Sequence, residues 1–225
     1  MHTIDLSTWP RRRHFEVFSA FDYPHINVCA NVQITAWQAL VKQQSRSLNL
    51  TLVYLFARVA NAIPEFRQRI RGPQVVEHDI VHPSSTIMTE GDLFSFCTIP
   101  YVEDYATFAT QAAAIIEQMK RQPRLEDEPG QDDLLYMTSM PWVSFTALQH
   151  PIHMHPVDSV PRISWGKFFA EGDIVKMPLS VQAHHALLDG VHIGRYFTQV
   201  QEYLDQPERL MKTESSYSAT GTSCH

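Results

Sequence analysis

From Val175 to Ala183, apolar residues hold every odd position (Val175, Met177, Leu179, Val181, Ala183), while Lys176, Pro178, Ser180, Gln182 and His184 hold the even ones. A period of two places successive side chains on opposite faces of a pleated strand, so this segment is expected to bury its odd face. It ends at a double histidine, His184-His185. His185 falls in phase with the apolar face and reads as the inward imidazole, where burial and hydrogen bonding can fix its tautomer and tune its pKa; His184 points the other way. Ala186-Leu187-Leu188-Asp189-Gly190 follows and leads into Val191-His192-Ile193-Gly194-Arg195-Tyr196-Phe197, with Asp189 placed to cap a helix. A histidine at a strand end and an acid at a helix start suit acid–base chemistry. A satisfied core histidine and a plain N-cap account for the same residues, and both readings stand on spacing alone.

The rest reads as helices and strands alternating in one continuous domain over 1–210. Pro10 to Phe18 suggests a helix, and Ile26, Val28, Ala30, Val32 and Ile34 alternate as a strand. Thr35 and Gln38 form a capping box for a helix carrying Trp37, Leu40 and Val41, and the stripe Leu52, Leu55, Phe56, Val59, Ala60, Ile63 stops at Pro64. Gly72-Pro73 turns the chain between Ile70 and Val75; strands are expected at 86–88 and 94–99, and Tyr105, Phe108, Ala109, Ala112, Ile116 and Met119 mark a further helix. After a polar loop at 122–133, strands are expected at 134–140, 142–148 and 163–169. Residues 211–225 lack periodicity and read as a flexible tail.

A net charge of −6 offers no basic field for nucleic acid. No segment reaches the roughly 18 apolar residues needed to span a bilayer, and a cytoplasmic location without membrane contact is expected. Cys29, Cys97 and Cys224, odd in number and without metal-type spacing, suggest buried thiols in a reducing compartment. The Pro-interrupted His150, His153 and His155 lack a zinc pattern, so no metal is expected.

The run Pro178 to Phe197, with its His-His-Ala-x-x-Asp-Gly-x-His-x-Gly-Arg core, resembles the active-site signature of the chloramphenicol acetyltransferase family. The shorter His-x-x-x-Asp-Gly core also occurs in dihydrolipoamide acyltransferases and condensation domains, so alone it indicates thioester-dependent acyl transfer. Four further blocks resemble that family in order: Trp9-Pro10-Arg11-Arg12-Arg13-His14-Phe15-Glu16, residues 57–67 from Ala57 to Arg67, Asp79-Ile80-Val81-His82-Pro83, and Pro141-Trp142-Val143-Ser144-Phe145. The resemblance implies an α/β fold, an α+β two-layer sandwich with a mixed β-sheet covered by helices. It also implies a homotrimer whose sites lie between subunits, and acetyl-CoA as co-substrate, its pantetheine arm in an interface channel.

Acetylating a small-molecule alcohol needs a base to take the hydroxyl proton as oxygen attacks the thioester, and His185 fits that task. The resemblance assigns the oxyanion donor to Thr138, with Ser139 the adjacent alternative; it pairs Asp189 with Arg11 as a structural clamp and gives Ser164 a water-ordering hydroxyl. Chloramphenicol is the acceptor that the family implies. Three departures count against chloramphenicol: Phe18 stands where a tyrosine is usual and removes a hydroxyl contact, 88–93 is one residue shorter than usual, and Arg162 replaces an apolar wall residue beside Ser164, which favours an anionic or more polar acceptor. Phe18 and Arg162 are therefore candidate substrate contacts. Arg162 has alternatives in a snorkel to solvent and in an acid across the interface. Intact His185, Asp189, Arg11 and Thr138 argue against a silent binding protein.

Overall fold

The computed structural model describes residues 1–211, so the tail expected at 211–225, with Cys224, lies outside them apart from its first residue. A short β1 (His2–Thr3) precedes α1 (Arg12–Phe18), β2 (His25–Gln33), α2 (Thr35–Gln43) and α3 (Leu48–Asn61). A 3-10 turn at Pro64–Arg67 leads into a hairpin of β3 (Gln68–Arg71) and β4 (Gln74–Glu77), whose corner is Gly72 at φ +59°. Then come β5 (His82–Met88), a 3-10 turn (Glu90–Asp92), β6 (Phe94–Thr98), α4 (Tyr105–Arg121) and β7 (Leu134–Met140). The chain closes with β8 (Arg162–Gly166), β9 (Phe169–Glu171), β10 (Ile174–His184), α5 (Gly190–Asp205) and α6 (Glu208–Met211).

A mixed seven-stranded sheet runs in the order β2-β10-β8-β7-β5-β6, with β9 folded onto β10; β1, β4 and β3 make a second sheet of three strands. The β5–β7 and β7–β8 pairs are parallel and the others antiparallel. Helices cover the face on which Met177, Leu179, Val181 and Ala183 lie, together with Ile163, Trp165, Leu135 and Met137 from the neighbouring strands. Trp37, Leu52, Phe56 and Tyr196 are wholly buried against it, each large apolar side chain contributing about 1.5–3 kcal/mol. Real caps start two helices: Ser47 accepts the Leu50 N–H at 3.3 Å, and Asp104 accepts the Thr107 N–H at 2.7 Å.

Four local expectations fail for physical reasons. Helix α1 starts at Arg12, after a turn in which the Arg12 N–H reaches the Trp9 carbonyl. The Thr35–Gln38 capping box does not form: buried Ile34 is the N-cap, and the Thr35 hydroxyl accepts the Val175 N–H at 2.9 Å, tying α2 to β10. Residues 142–148 form no strand, because both edges of β7 are already occupied by β5 and β8. The expected strand at 163–169 divides into β8 and β9, and its break follows Gly166, where a Cβ would meet Pro178 and the Val143 carbonyl at 2.7 Å.

The second face of the large sheet is polar. In register across β2, β10, β8 and β7 stand His25 with His184, Asn27 with Gln182 and Arg162, and Cys29 with Ser180, Ser164 and Thr138. The segment 141–161 passes over this face and supplies its partners: His150 N–H donates to Gln182 Oε1 at 2.8 Å, and the Asp158 carbonyl meets His25 Nε2 at 2.8 Å. Even positions of β10 are therefore buried as well as odd ones, and the alternation of polarity marks two buried faces of different chemistry.

Candidate active site

His185 lies one residue beyond β10, in the turn before α5, with its backbone N–H donated to the Pro24 carbonyl at 2.7 Å. Its Nδ1 sits 3.1 Å from the Leu188 carbonyl and 3.2 Å from Asp189 Oδ1. Both partners can only accept, so the hydrogen belongs on Nδ1 and the lone pair on Nε2. Nε2 has no hydrogen-bond partner among the described residues. Phe18, from the end of α1, stacks on the imidazole with ring centroids 3.8 Å apart and planes 11° from parallel.

Arg11 grips Asp189 with both guanidinium nitrogens, Nη1 to Oδ2 and Nη2 to Oδ1, the latter at 3.0 Å. Long contacts of 3.4 and 3.5 Å from Nη2 to the carbonyls of His185 and Ala186 extend the grip to the turn itself. The Arg11 guanidinium holds the Asp189 carboxyl below the usual carboxylate value, against the opposing effect of burial. Asp189 thus orients three things at once: the start of α5, the arginine and the histidine ring.

Strand phase predicts a buried His185 and an outward His184, and the structure reverses the burial. The alternation stops with the strand, so the His185 side chain stays 26% exposed in the turn, whereas His184 on the polar face is 0% exposed. Burial pushes the His184 imidazole down to about 4, and its Nδ1 accepts the Ala186 N–H at 3.2 Å.

Thr138 and Ser164 face each other across β7 and β8 on the polar face, while Ser139 shares the other face with Trp165. The Ser164 hydroxyl is engaged at 2.7 Å by His150 Nε2, so the group expected to order a water already has a protein partner. Arg162 is only 8% exposed. It pairs with Asp158, donates from Nη1 to the Val160 carbonyl at 3.0 Å and lies 5.2 Å over the Tyr136 ring. Neither the snorkel nor an acid from another chain is needed: the acid lies four residues earlier in the same chain. Arg162 therefore does not act as the free charged wall that the expectation of a more polar acceptor required, because its guanidinium is ion-paired with Asp158 and lies over an aromatic ring.

The structure brings together Phe18, Arg11, His185 and Asp189. Thr138, Ser164 and Arg162 form a second group on the polar face, and no hydrogen bond or ion pair among the described residues joins the two. Sequence reasoning missed His150, whose partners Gln182 and Ser164 come from β10 and β8, and Asp158, although its partner Arg162 lies only four residues on; it left His192 and Glu65 without roles although both lie in recognised blocks. Among the described residues no group of three or more His, Cys, Asp or Glu is placed to hold a metal ion.

Residues 1–201 match the family model described as chloramphenicol acetyltransferase. A chloramphenicol acetyltransferase from Klebsiella sp. is 32% identical over 209 residues, covering 91% of this chain and 94% of its own length. A solved chloramphenicol acetyltransferase superposes with a TM-score of 0.80 at 26% identity, over 89% of this chain and 98% of that one. The dihydrolipoamide acetyltransferase of Azotobacter vinelandii shares the fold, with a TM-score of 0.68 at 17% identity, over 89% of this chain and 88% of its own.

Proposed function

The chain belongs to the chloramphenicol acetyltransferase family, and on that footing we propose that it is an acyltransferase moving the acetyl group of acetyl-CoA to a hydroxyl of chloramphenicol, with resistance to the antibiotic as the consequence. The observation that carries this reading is the His185 imidazole, locked by Nδ1 and open at Nε2. Nε2 takes the acceptor's hydroxyl proton as its oxygen attacks the thioester carbonyl. The Thr138 hydroxyl donates to the tetrahedral oxyanion, and collapse expels the CoA thiolate, which receives the proton from the imidazolium. Arg11 and Asp189 position and do not react. Phe18 holds the ring, and Ser164 works with His150 on the acceptor side. The pairing of Arg162 with Asp158 leaves an apolar aryl group unopposed, which favours chloramphenicol over a more polar acceptor.

We infer a homotrimer with its sites between subunits. Two features support it: no hydrogen bond or ion pair among the described residues joins the His185 group to the Thr138 group, and large apolar side chains lie open, among them Trp142 and Leu93 at 66% exposure each. Such a site would be completed by Thr138 of a neighbouring copy. One domain over 1–210 carries the activity. A cytoplasmic setting agrees with the free thiols of Cys29 and Cys97, both raised by burial, and no described helix is long and apolar enough to cross a membrane.

The test is thiol release from acetyl-CoA with chloramphenicol as acceptor. Wild type is expected to release CoA, and a folded His185→Ala variant to lose at least on the order of 10²–10⁴-fold in rate. No release by wild type overturns the acceptor; unchanged release by the variant overturns the base.

A further inference from the structure

His192 and Glu65 lie in two of the recognised sequence blocks but have been given no role so far, and the fold joins them directly behind the His185 turn. His192 is buried on the first turn of α5. Its Nδ1 accepts the backbone N–H of Asp189 at 2.9 Å. Its Nε2 lies 3.3 Å from Oε1 of Glu65, which the 3-10 turn Pro64–Arg67 presents from the end of α3. The bond at Nδ1 selects one tautomer. An acceptor at Nδ1 requires the hydrogen on Nε2, where the carboxylate can receive it.

We propose that His192 is a positioning residue for the transfer site, holding the Asp189 main chain so that one carboxylate can aim both Arg11 and the His185 ring, with Glu65 locking its tautomer. Asp189 serves two partners that approach from different directions, Arg11 from before α1 and His185 Nδ1 from the preceding turn. A rotation of its backbone would break one contact while keeping the other, and His192 is the group that opposes this rotation. With its hydrogen on the wrong nitrogen, His192 would set a donor against the Asp189 N–H. Burial lowers the His192 imidazole below its ordinary value; Glu65 and Asp189 oppose that, while Arg11 and Arg195 reinforce it. The neutral form required by the geometry is thereby favoured.

This assignment rests on the acyl-transfer reading, so its test has one arm that needs no substrate. The full chain is labelled with ¹⁵N-histidine, and long-range ¹H–¹⁵N spectra report the His185 tautomer in wild type, His192→Leu, His192→Asn and Glu65→Ala. The same proteins are assayed for kcat and KM with acetyl-CoA and chloramphenicol. Wild-type His185 is expected as the Nδ1–H form, and His192→Leu to mix the tautomers and lower kcat on the order of 10- to 100-fold. KM for both substrates should change by no more than about twofold, since binding surfaces are untouched. His192→Asn, whose Oδ1 can accept the Asp189 N–H, should recover most of kcat. Glu65→Ala lies outside the helix start and should show the Leu defect in weaker form, so it carries the test if His192→Leu fails to fold. A folded His192→Leu or Glu65→Ala protein with unchanged His185 tautomer and kcat overturns the proposal, as does equal loss in the Leu and Asn variants. Wild type inert toward chloramphenicol would sink the acceptor reading, while the tautomer spectra would still decide the role of His192.

Discussion

Arg162 carries a full charge where almost no water reaches it, and Asp158 makes that arrangement tolerable. Removing one member of a buried pair leaves the other uncompensated, typically at about 3–5 kcal/mol. Arg162→Val should therefore lower the unfolding free energy by roughly that amount, measured by urea titration, and should not improve chloramphenicol turnover. Adding Asp158→Leu should restore part of the loss. A single variant as stable as wild type would mean that the pair contributes nothing. The same residue-level logic separates the two histidines. His185 is held by its ring partners and kept reachable, whereas His184 fills space beside His25, their ring centroids 5.0 Å apart. Substituting His184 therefore disturbs packing and not proton transfer.

At the scale of elements, three segments converge on one turn: the residues just before α1, the start of α5 and the link after α3. The Arg11–Asp189 bond fastens α1 to α5, and Phe18 at the end of α1 covers the His185 ring. Asp189→Asn keeps the shape but loses the charge that Arg11 faces. With side chains 13% and 24% exposed, the pair should fall toward the lower end of the roughly 3–5 kcal/mol range. That corresponds to about 5–10 °C in Tm for a chain of this size. The assay should show lower kcat together with lower Tm. An unchanged Tm with a displaced pH–rate profile would instead make Asp189 a proton carrier. Arg11→Lys, unable to form the two-pronged contact, should resemble Asp189→Asn.

Across the whole molecule, buried imidazoles, most of them on the polar face of the sheet, make stability depend on acidity. Burial lowers His184 from 6.5 to about 4, and lowers His25, His82, His150 and His192 as well. A histidine depressed in the folded state binds its proton more readily when unfolded, so stability is complete above the unfolded value and is lost as pH falls toward the folded one. His184 alone should remove roughly 3 kcal/mol between pH 6.5 and 4. Urea midpoints measured at pH 7.5, 6, 5 and 4 should decline steadily across that window. A flat profile would contradict the burial of these imidazoles.

The sequence alone determined whatever depends on neighbours along the chain. The period-two run of β10, the helical stripe ending at Pro64 and the Gly72-Pro73 hairpin follow from local sterics and apolar spacing, and the ordered motif blocks carried the family and singled out His185 as the candidate base. Tertiary structure decided what depends on residues far apart in sequence. The failure of 142–148 as a strand comes from β5 and β8 occupying both edges of β7, which no local pattern in that segment reveals. The burial of His184 behind 141–161 and the contact of Glu65 with His192 likewise exist only once the chain is assembled; the Arg162–Asp158 pair is only four residues apart, and what the fold decided there is that both are buried. Polarity along a strand reports which faces differ; which of them meets water is set by what folds over them.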